Sequence, residues 1–420
     1  MKPNRVFVAV LGAVVAFACG PDKGGTFRAS RAQPFDRAED GEDLRFGPWG
    51  MPTNLGPVVN SPYDDNHPAI SRDGLSLYIT SNRPGGVNGA NPHRFVEIWV
   101  SRRDSLGADW KPPQGLGDVI NITGFNTAVP NLTPDGHTLY FHSTRPGGCG
   151  GTDMYLSTRE DKDDDFAWGK PVNLGCAPKG PNTAEDENGP TYLAGDGVEY
   201  LFYNTNLQTN PAGTIPGGCG GPDILMSVSH RNGNDGDGPQ PFWPPGSVVK
   251  SLCSPKDDTR TAIRSDGLEI IFSSTRDGGI GKNDLWSSTR KTIAEDWSVP
   301  MNLGRPVNSE VDDGGAALSW DGTTLYFFST RHPGDKSRTD RDLWVTKRSR
   351  LRAGFVSHVI APQATDPAID AAIDPHLAWL DKNARTNDQL LLFMPGHNVP
   401  RRSTNSSRSK PRGSAITSSA

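Results

Sequence analysis

The 420-residue chain is poor in apolar residues, in excess charge of either sign and in catalytic signatures, and each shortage removes a class of function. Hydrophobic residues make up 34% of it, with a mean hydropathy of −0.55, which leaves no membrane-embedded body. Basic residues do not outnumber acidic ones (43 against 48, net −5), so no basic face is on offer to neutralise nucleic-acid phosphates. No G-x-S-x-G elbow, P-loop or helix-opening G-x-G-x-x-G is present, and the Gly-Gly loops join strands. Neither C-x-x-C nor H-E-x-x-H occurs and the nine histidines do not cluster, so no metal and no cofactor is expected. What the chain has in quantity is punctuation. Its 48 glycines and 36 prolines are a fifth of all residues, too many for a helical bundle and below the roughly 25–30% of low-complexity chains.

Residues 1–19 read as an export signal. Lys2 and Arg5 precede a 13-residue apolar run, Val6 to Ala18, shorter than the ~20 residues of a membrane-spanning helix. The end of this segment, Ala16-Phe17-Ala18-Cys19-Gly20, resembles a bacterial lipoprotein cleavage site, in which Cys19 would carry the lipid; plain cleavage near Ala18 is the alternative. Residues 20–45 are polar and suit a flexible linker.

From residue 46 to 350 one pattern recurs five times. Its centre is a Ser/Thr-x-Asp-Gly type turn followed by an apolar strand. Asp73-Gly74 precedes Leu77-Tyr78-Ile79, Asp135-Gly136 precedes Leu139-Tyr140-Phe141, and Asp196-Gly197 precedes Tyr200-Leu201-Phe202. Asp266-Gly267 then precedes Ile270-Ile271-Phe272, and Asp321-Gly322 precedes Leu325-Tyr326-Phe327. The aspartates lie 62, 61, 70 and 55 residues apart. Upstream of each turn is a Trp segment (Trp49, Trp110, Trp168, Trp243, Trp297); downstream come a Gly-Gly loop and a strand such as Asp284-Leu285-Trp286. Asp-Gly between strands signals a tight hairpin, because glycine takes the positive φ such turns need. Four short strands per unit, repeated around a ring, define an all-β fold, a five-bladed β-propeller of four-stranded blades, with six blades the alternative. The first Trp segment, Trp49 to Leu55, precedes every inner strand. It is therefore expected to close the ring as the outer strand of the last blade, beside Leu343 to Thr346.

The Pro/Ser-x-Asp-Gly turn, the Leu-Tyr-Phe strand and the Asp-Leu-Trp strand resemble the WD40-like repeat of TolB-type propellers and exported bacterial lipoproteins. That resemblance implies a non-enzymatic binding or scaffold module of the cell envelope, periplasmic or lipid-anchored to the outer membrane. It would be a monomer engaging envelope proteins or glycans, touching the membrane only through its anchor. The alternative from a different class is a carbohydrate-active hydrolase, since two carboxylates need only meet in space.

Cysteine placement tests the topology. Cys149 and Cys219 occupy the same slot in two repeats, Cys176 and Cys253 follow the next Trp segments, and the other repeats lack both members. Co-occurrence pairs Cys149 with Cys176 and Cys219 with Cys253, which requires an oxidising compartment. Such loops stabilise by roughly 3–4 kcal/mol on chain-entropy grounds.

Carboxylates also recur. Eight or nine residues before the turn aspartates stand Asp64, Asp65, Glu187, Asp257, Asp258, Asp312 and Asp313, expected to ring the mouth of the central channel. Two readings stay open: a cation- or ligand-binding funnel, or pairing with Arg83, Arg145, Arg276 and Arg331 at the ends of the second strands. The turn aspartates themselves miss the Ser-x-Asp-x-Gly spacing of sialidase boxes and read as turn formers. Asp235 and Asp237 lack the distal Glu of a calcium loop. Blade 3 departs most from the repeat, with Asn206 where others have Arg and with long loops at 206–222 and 230–246. Residues 351–400 form an extension, partly helical in spacing around Ile369, Ile373, Leu377 and Leu380; residues 401–420 read as a disordered basic tail.

Overall fold

The structure is a computed structural model and describes residues 45–351, apart from 90–93, 196, 206–217, 231–241 and 336. The export signal, Cys19, the linker before residue 45, Asp196, Asn206, Asp235, Asp237 and the C-terminal segments lie outside the described residues.

Five four-stranded antiparallel sheets follow one another around an axis. Numbered by their innermost strands, blades 1 to 5 begin at Asp65–Ile70, Thr127–Leu132, Glu187–Ala194, Asp258–Ile263 and Asp313–Leu318. Each inner strand hairpins into a second strand, such as Ser76–Ser81 or Thr324–Ser329, then a third and a two-residue outer strand. The ring closes as the sequence implies: Thr53 pairs with Val345 and Asn54 with Trp344, so the earliest blade strand completes blade 5. A small ladder, Arg45 against Leu351 and Phe46 against Arg350, lies beyond it.

The repeat is legible as packing. Alternate residues of the second and third strands are buried between blades: Tyr78, Ile98, Leu139, Phe141 and Trp168 form one shared core of blades 1 and 2. Each fully buried aromatic or aliphatic contributes about 1.5–3 kcal/mol. Polar side chains then fix the spacing. Asn121 accepts the Ile98 N–H at 2.9 Å and donates to the Ile98 carbonyl at 2.9 Å. Asn60, Asn182 and Asn308 clasp Leu343, Met154 and Leu285 in the same way. Arg103, Arg159, Arg290 and Arg348 lie over Trp110, Trp168, Trp297 and Trp49 at 4.1–4.3 Å, each donating to an Asp-Gly turn carbonyl at 2.8 Å.

Both disulfides form as paired from the sequence, Cys149–Cys176 with Cα atoms 5.5 Å apart and Cys219–Cys253 with 5.8 Å. In blades 1 to 4 the acidic residue opening the third strand, Glu97, Asp153, Asp223 or Asp284, organises the adjacent Gly-Gly loop. Asp153 accepts the Cys149 N–H at 2.6 Å, and a Cβ on Gly148 would fall 1.6 Å from its carboxylate. That approach is the physical reason for the glycine.

One irregularity repeats five times. Every inner strand carries a bulge, between Asn66/Ala69, Ala128/Asn131, Asn188/Thr191, Thr259/Ala262 and Gly314/Ala317. At each bulge one residue has positive φ: His67 (44°), Val129 (53°), Gly189 (65°), Arg260 (54°) and Gly315 (60°). Pro68, Pro130 and Pro190 follow in three blades, where a missing N–H costs no ladder bond.

Candidate axial cavity

The bulges build the axial site. Their five residues form a belt around the channel, and the backbone N–H at four of them is received by a side chain of the preceding blade. Val129 donates to Thr80 Oγ1 at 2.9 Å, Gly189 to His142 Nδ1 at 3.3 Å, Arg260 to Asn204 Oδ1 at 3.5 Å, and Gly315 to Ser273 Oγ at 2.9 Å. At the closing junction the corresponding residue is Phe328, which has no acceptor. It meets the His67 ring edge to face at 5.4 Å instead.

From this belt to the Asp-Gly turns runs a cavity of about 130 Å³, lined by all five inner strands. By volume it holds about ten waters. Its mouth includes Arg72, Asp135 and Trp320, with the Arg72 guanidinium 4.3 Å from the Trp320 ring centroid. Its deep end holds His67 and Arg260. The belt glycines make space for them. A Cβ on Gly189 would lie 3.2 Å from Arg260 Nη1, and one on Gly315 would lie 3.0 Å from the His67 ring.

Charge in the cavity is one-sided. Among the lining residues the only carboxylate is Asp135, and its Oδ1 accepts from Thr133 Oγ1 at 2.7 Å and from the His137 N–H at 3.1 Å, inside its own turn. Arg260 forms no ion pair with any described residue, and its Nη1 is buried with no hydrogen-bond partner. Burial, and then the field of Arg341, pushes the Arg260 guanidinium down to about 10, so it stays charged at neutral pH. Thr261 Oγ1, next in the chain and also on the cavity wall, is buried without a partner as well. Thirteen described side-chain atoms share that state, five of them tryptophan indole nitrogens, and Arg260 and Thr261 are the two of these residues that line the cavity. His67 donates from Nδ1 to Asn66 Oδ1 at 2.6 Å, since an amide oxygen can only accept; its other ring nitrogen, Nε2, then carries a lone pair. Burial foremost, then the charge of Arg260, holds His67 well below the ordinary histidine range, so it is neutral at pH 7.

The carboxylates singled out from the sequence lie elsewhere; none of the seven lines the cavity. Asp65, Asp258 and Asp313 are fully buried and paired with Arg83 (2.5 Å), Arg276 (2.5 Å) and Arg331. Each arginine also donates to a carbonyl of the incoming connection, at Val59, Leu252 and Val307. They are fastened inside the blades, at the end of the inner strand away from the mouth. In blade 2, which has Thr127 in place of the carboxylate, Arg145 donates to Thr127 Oγ1 at 3.4 Å, to Ser143 Oγ at 3.1 Å and to the Ile120 carbonyl at 2.5 Å. In blade 3, Glu187 has two threonines, accepting from Thr183 Oγ1 at 2.5 Å and Thr205 Oγ1 at 3.2 Å. Blade 3's first three strands are longer, eight residues each, and Glu187, one residue before the bulged Asn188, aligns with Asp65 and not with Asp64. Burial pushes its carboxyl up to about 7. Asp64 receives the Arg341 N–H at 3.1 Å, Asp257 is exposed, and Asp312 is half-buried.

His67 and Arg260 are inconspicuous in the sequence because the repeat shows itself through sameness. The signal was available two residues beyond Asp65 and Asp258, where one position reads His, Val, Gly, Arg and Gly through the five repeats.

No family model matches the chain, and no curated protein does. Solved structures do. The catalytic domain of a GH62 α-L-arabinofuranosidase from Coprinopsis cinerea is 12% identical with a TM-score of 0.45, the match covering 72% of this chain and 97% of that one. A family 117 glycoside hydrolase from Zobellia galactanivorans is 13% identical with a TM-score of 0.44, covering 78% and 97%. An α-L-arabinofuranosidase from Lactobacillus brevis is 15% identical with a TM-score of 0.44, covering 73% and 98%. At this identity the likeness is one of fold. The expectation of a non-enzymatic TolB-like scaffold is corrected by these neighbours, whose names are those of glycoside hydrolases; a shared fold does not by itself carry their activity to this chain.

Proposed function

We propose that this is a carbohydrate-active protein that engages an acidic glycan in its axial cavity. The observation that carries the reading is the Arg260 guanidinium, deep in the cavity, without an ion-pair partner among the described residues and with Nη1 unbonded. A buried cation without a carboxylate selects an anion. A charge-assisted hydrogen bond there is worth about 1.5–3 kcal/mol. A cavity of this size beside that cation suits a sugar carrying a carboxylate, a uronate. The two disulfides support work outside the cytoplasm, where such glycans are met. Export through residues 1–19, with a lipid on Cys19, is part of the same proposal, and mass spectrometry of the mature N-terminus tests it.

Titration calorimetry with oligogalacturonates, their methyl esters and sulfated oligosaccharides tests the binding. The acids bind, and esterification weakens them roughly tenfold to a hundredfold. Arg260→Gly, which the belt already tolerates at Gly189 and Gly315, abolishes that discrimination. Equal affinity for acid and ester, or a preference for sulfate, would overturn the uronate reading.

A further inference from the structure

The cavity holds a base as well as an anion site. His67 and Arg260 occupy the same belt position in blades 1 and 4, and the only belt residue between them along the shorter arc is Gly315, which has no side chain. Both residues line the same cavity, so a sugar whose carboxylate meets Arg260 shares that cavity with the imidazole, while the Phe328 and His67 rings fill the space over Gly315. The ring is fixed on both sides: Asn66 Oδ1 holds Nδ1–H at 2.6 Å, and Phe328 packs against its face. Both residues are kept at positive φ, a conformation costing a non-glycine residue of order 1–3 kcal/mol, although glycine serves at two of the five positions.

Building on the acidic-glycan reading, we propose that the protein is a lyase, with His67 as the base of a β-elimination on uronate-containing chains. The Nε2 lone pair takes the proton from the sugar carbon that bears the carboxylate. The electrons of that C–H bond spread into the carboxylate, where the Arg260 charge stabilises the enediolate as it develops. They then form the double bond between this carbon and its neighbour as the neighbour's bond to the glycosidic oxygen breaks. In glucuronate and mannuronate the departing oxygen lies on the same face as the abstracted hydrogen and takes the proton back from the imidazolium. In galacturonate it lies on the opposite face and takes a proton from water, to which His67 returns its own. Neutral His67 is restored in either case. Water is not consumed, nothing is oxidised or reduced, and the products are a shortened glycan and an unsaturated uronate. Neutral imidazole is the form the step requires, and it is the form that burial and Arg260 enforce.

The test uses the full mature protein with tri- and tetragalacturonate and with glucuronate and mannuronate oligomers. It reads the ultraviolet absorbance of the conjugated product and the binding isotherm in parallel. One of these series yields unsaturated product. His67→Gly, conservative for this backbone, lowers its rate roughly 100- to 10,000-fold and leaves affinity little changed. Added imidazole restores part of the rate, which a misfolded variant would not allow. Uronate binding without unsaturated product, or saturated products that show hydrolysis, would overturn the lyase and leave the binding reading standing. Absence of binding would overturn both.

Discussion

Two rings of five residues, two positions apart in every repeat, behave oppositely. The first, Asp65, Thr127, Glu187, Asp258 and Asp313, is charged in most blades, fully buried and internally neutralised. The second, His67, Val129, Gly189, Arg260 and Gly315, shares only a backbone shape, and its charge is left facing the channel. A side chain repeated around a propeller is held by the repeat and serves the wheel. A repeated conformation with unrepeated side chains leaves chemistry free to vary. The aspartates were conspicuous in sequence because they are structural.

The sharpest way to break that contrast is to remove one member from each ring. Asp313→Asn or Arg331→Met leaves a buried charge unpaired and should cost about 3–5 kcal/mol in denaturant unfolding. Affinity for acidic glycans should barely change under conditions where these variants remain folded. Arg260→Gly should do the reverse, with stability held or raised and affinity lost. If Arg260→Gly unfolds the protein as Asp313→Asn does, the second ring is architecture too and the cavity reading fails.

This also explains how much the sequence disclosed. Blade count, ring closure through Thr53 and Asn54, and both disulfides were legible because each depends on residues that recur at fixed offsets. The turn aspartates were legible as turn formers, and Asp73 and Asp321 accept from Leu75 and Thr323 as an Asp-Gly hairpin requires. The site was hidden because bulges are set by pairing register, which no single strand announces. An Asp-Asn-His-Pro run and an Asp-Thr-Arg-Thr run look unrelated until the ladder superimposes His67 on Arg260. The direction of the carboxylates was hidden for a similar reason. Whether Asp258 faces the channel or Arg276 depends on where the second strand ends, and the arginine's reach to the Leu252 carbonyl decides it.

Within the first ring, Glu187 is the exception that sharpens the rule, since it has no arginine among its described partners. Its carboxyl, raised to about 7 by burial, binds its proton more tightly folded than unfolded. Its stabilising contribution is therefore complete below about pH 4.5 and is lost as pH rises through 7, a total of roughly 3 kcal/mol by linkage. His67 and His142 act in the opposite sense. Both are held below 6.5 by burial, so their contribution is present above that pH and lost on acidification. The Glu187 part of the unfolding free energy should fall between about pH 4.5 and 7 and stay level above that, so the difference between the parent and Glu187→Gln should change over that range and be constant from about pH 8 to 9. A difference that does not change with pH would mean that Glu187 is ionised and compensated, like its counterparts.

The smallest effect tests the second ring where it carries no chemistry. Val129 holds φ at 53° although it is β-branched, the residue class least suited to that region. Relief of this strain in Val129→Gly gains about 1–2 kcal/mol. Glycine's extra unfolded-state freedom takes back roughly 0.5–1 kcal/mol, and the half-buried isopropyl group accounts for a similar loss. The variant should therefore lie within about 1 kcal/mol of the parent, whereas truncating Ile79 to glycine in a fully buried strand position should exceed about 3 kcal/mol. Uronate binding should survive in Val129→Gly, because the Thr80 acceptor still receives the backbone N–H and the belt keeps its shape. A loss near 3 kcal/mol would show that the valine side chain itself props the channel open. The distinction between a conserved shape and free side chains would then hold only for the blades bearing His67 and Arg260.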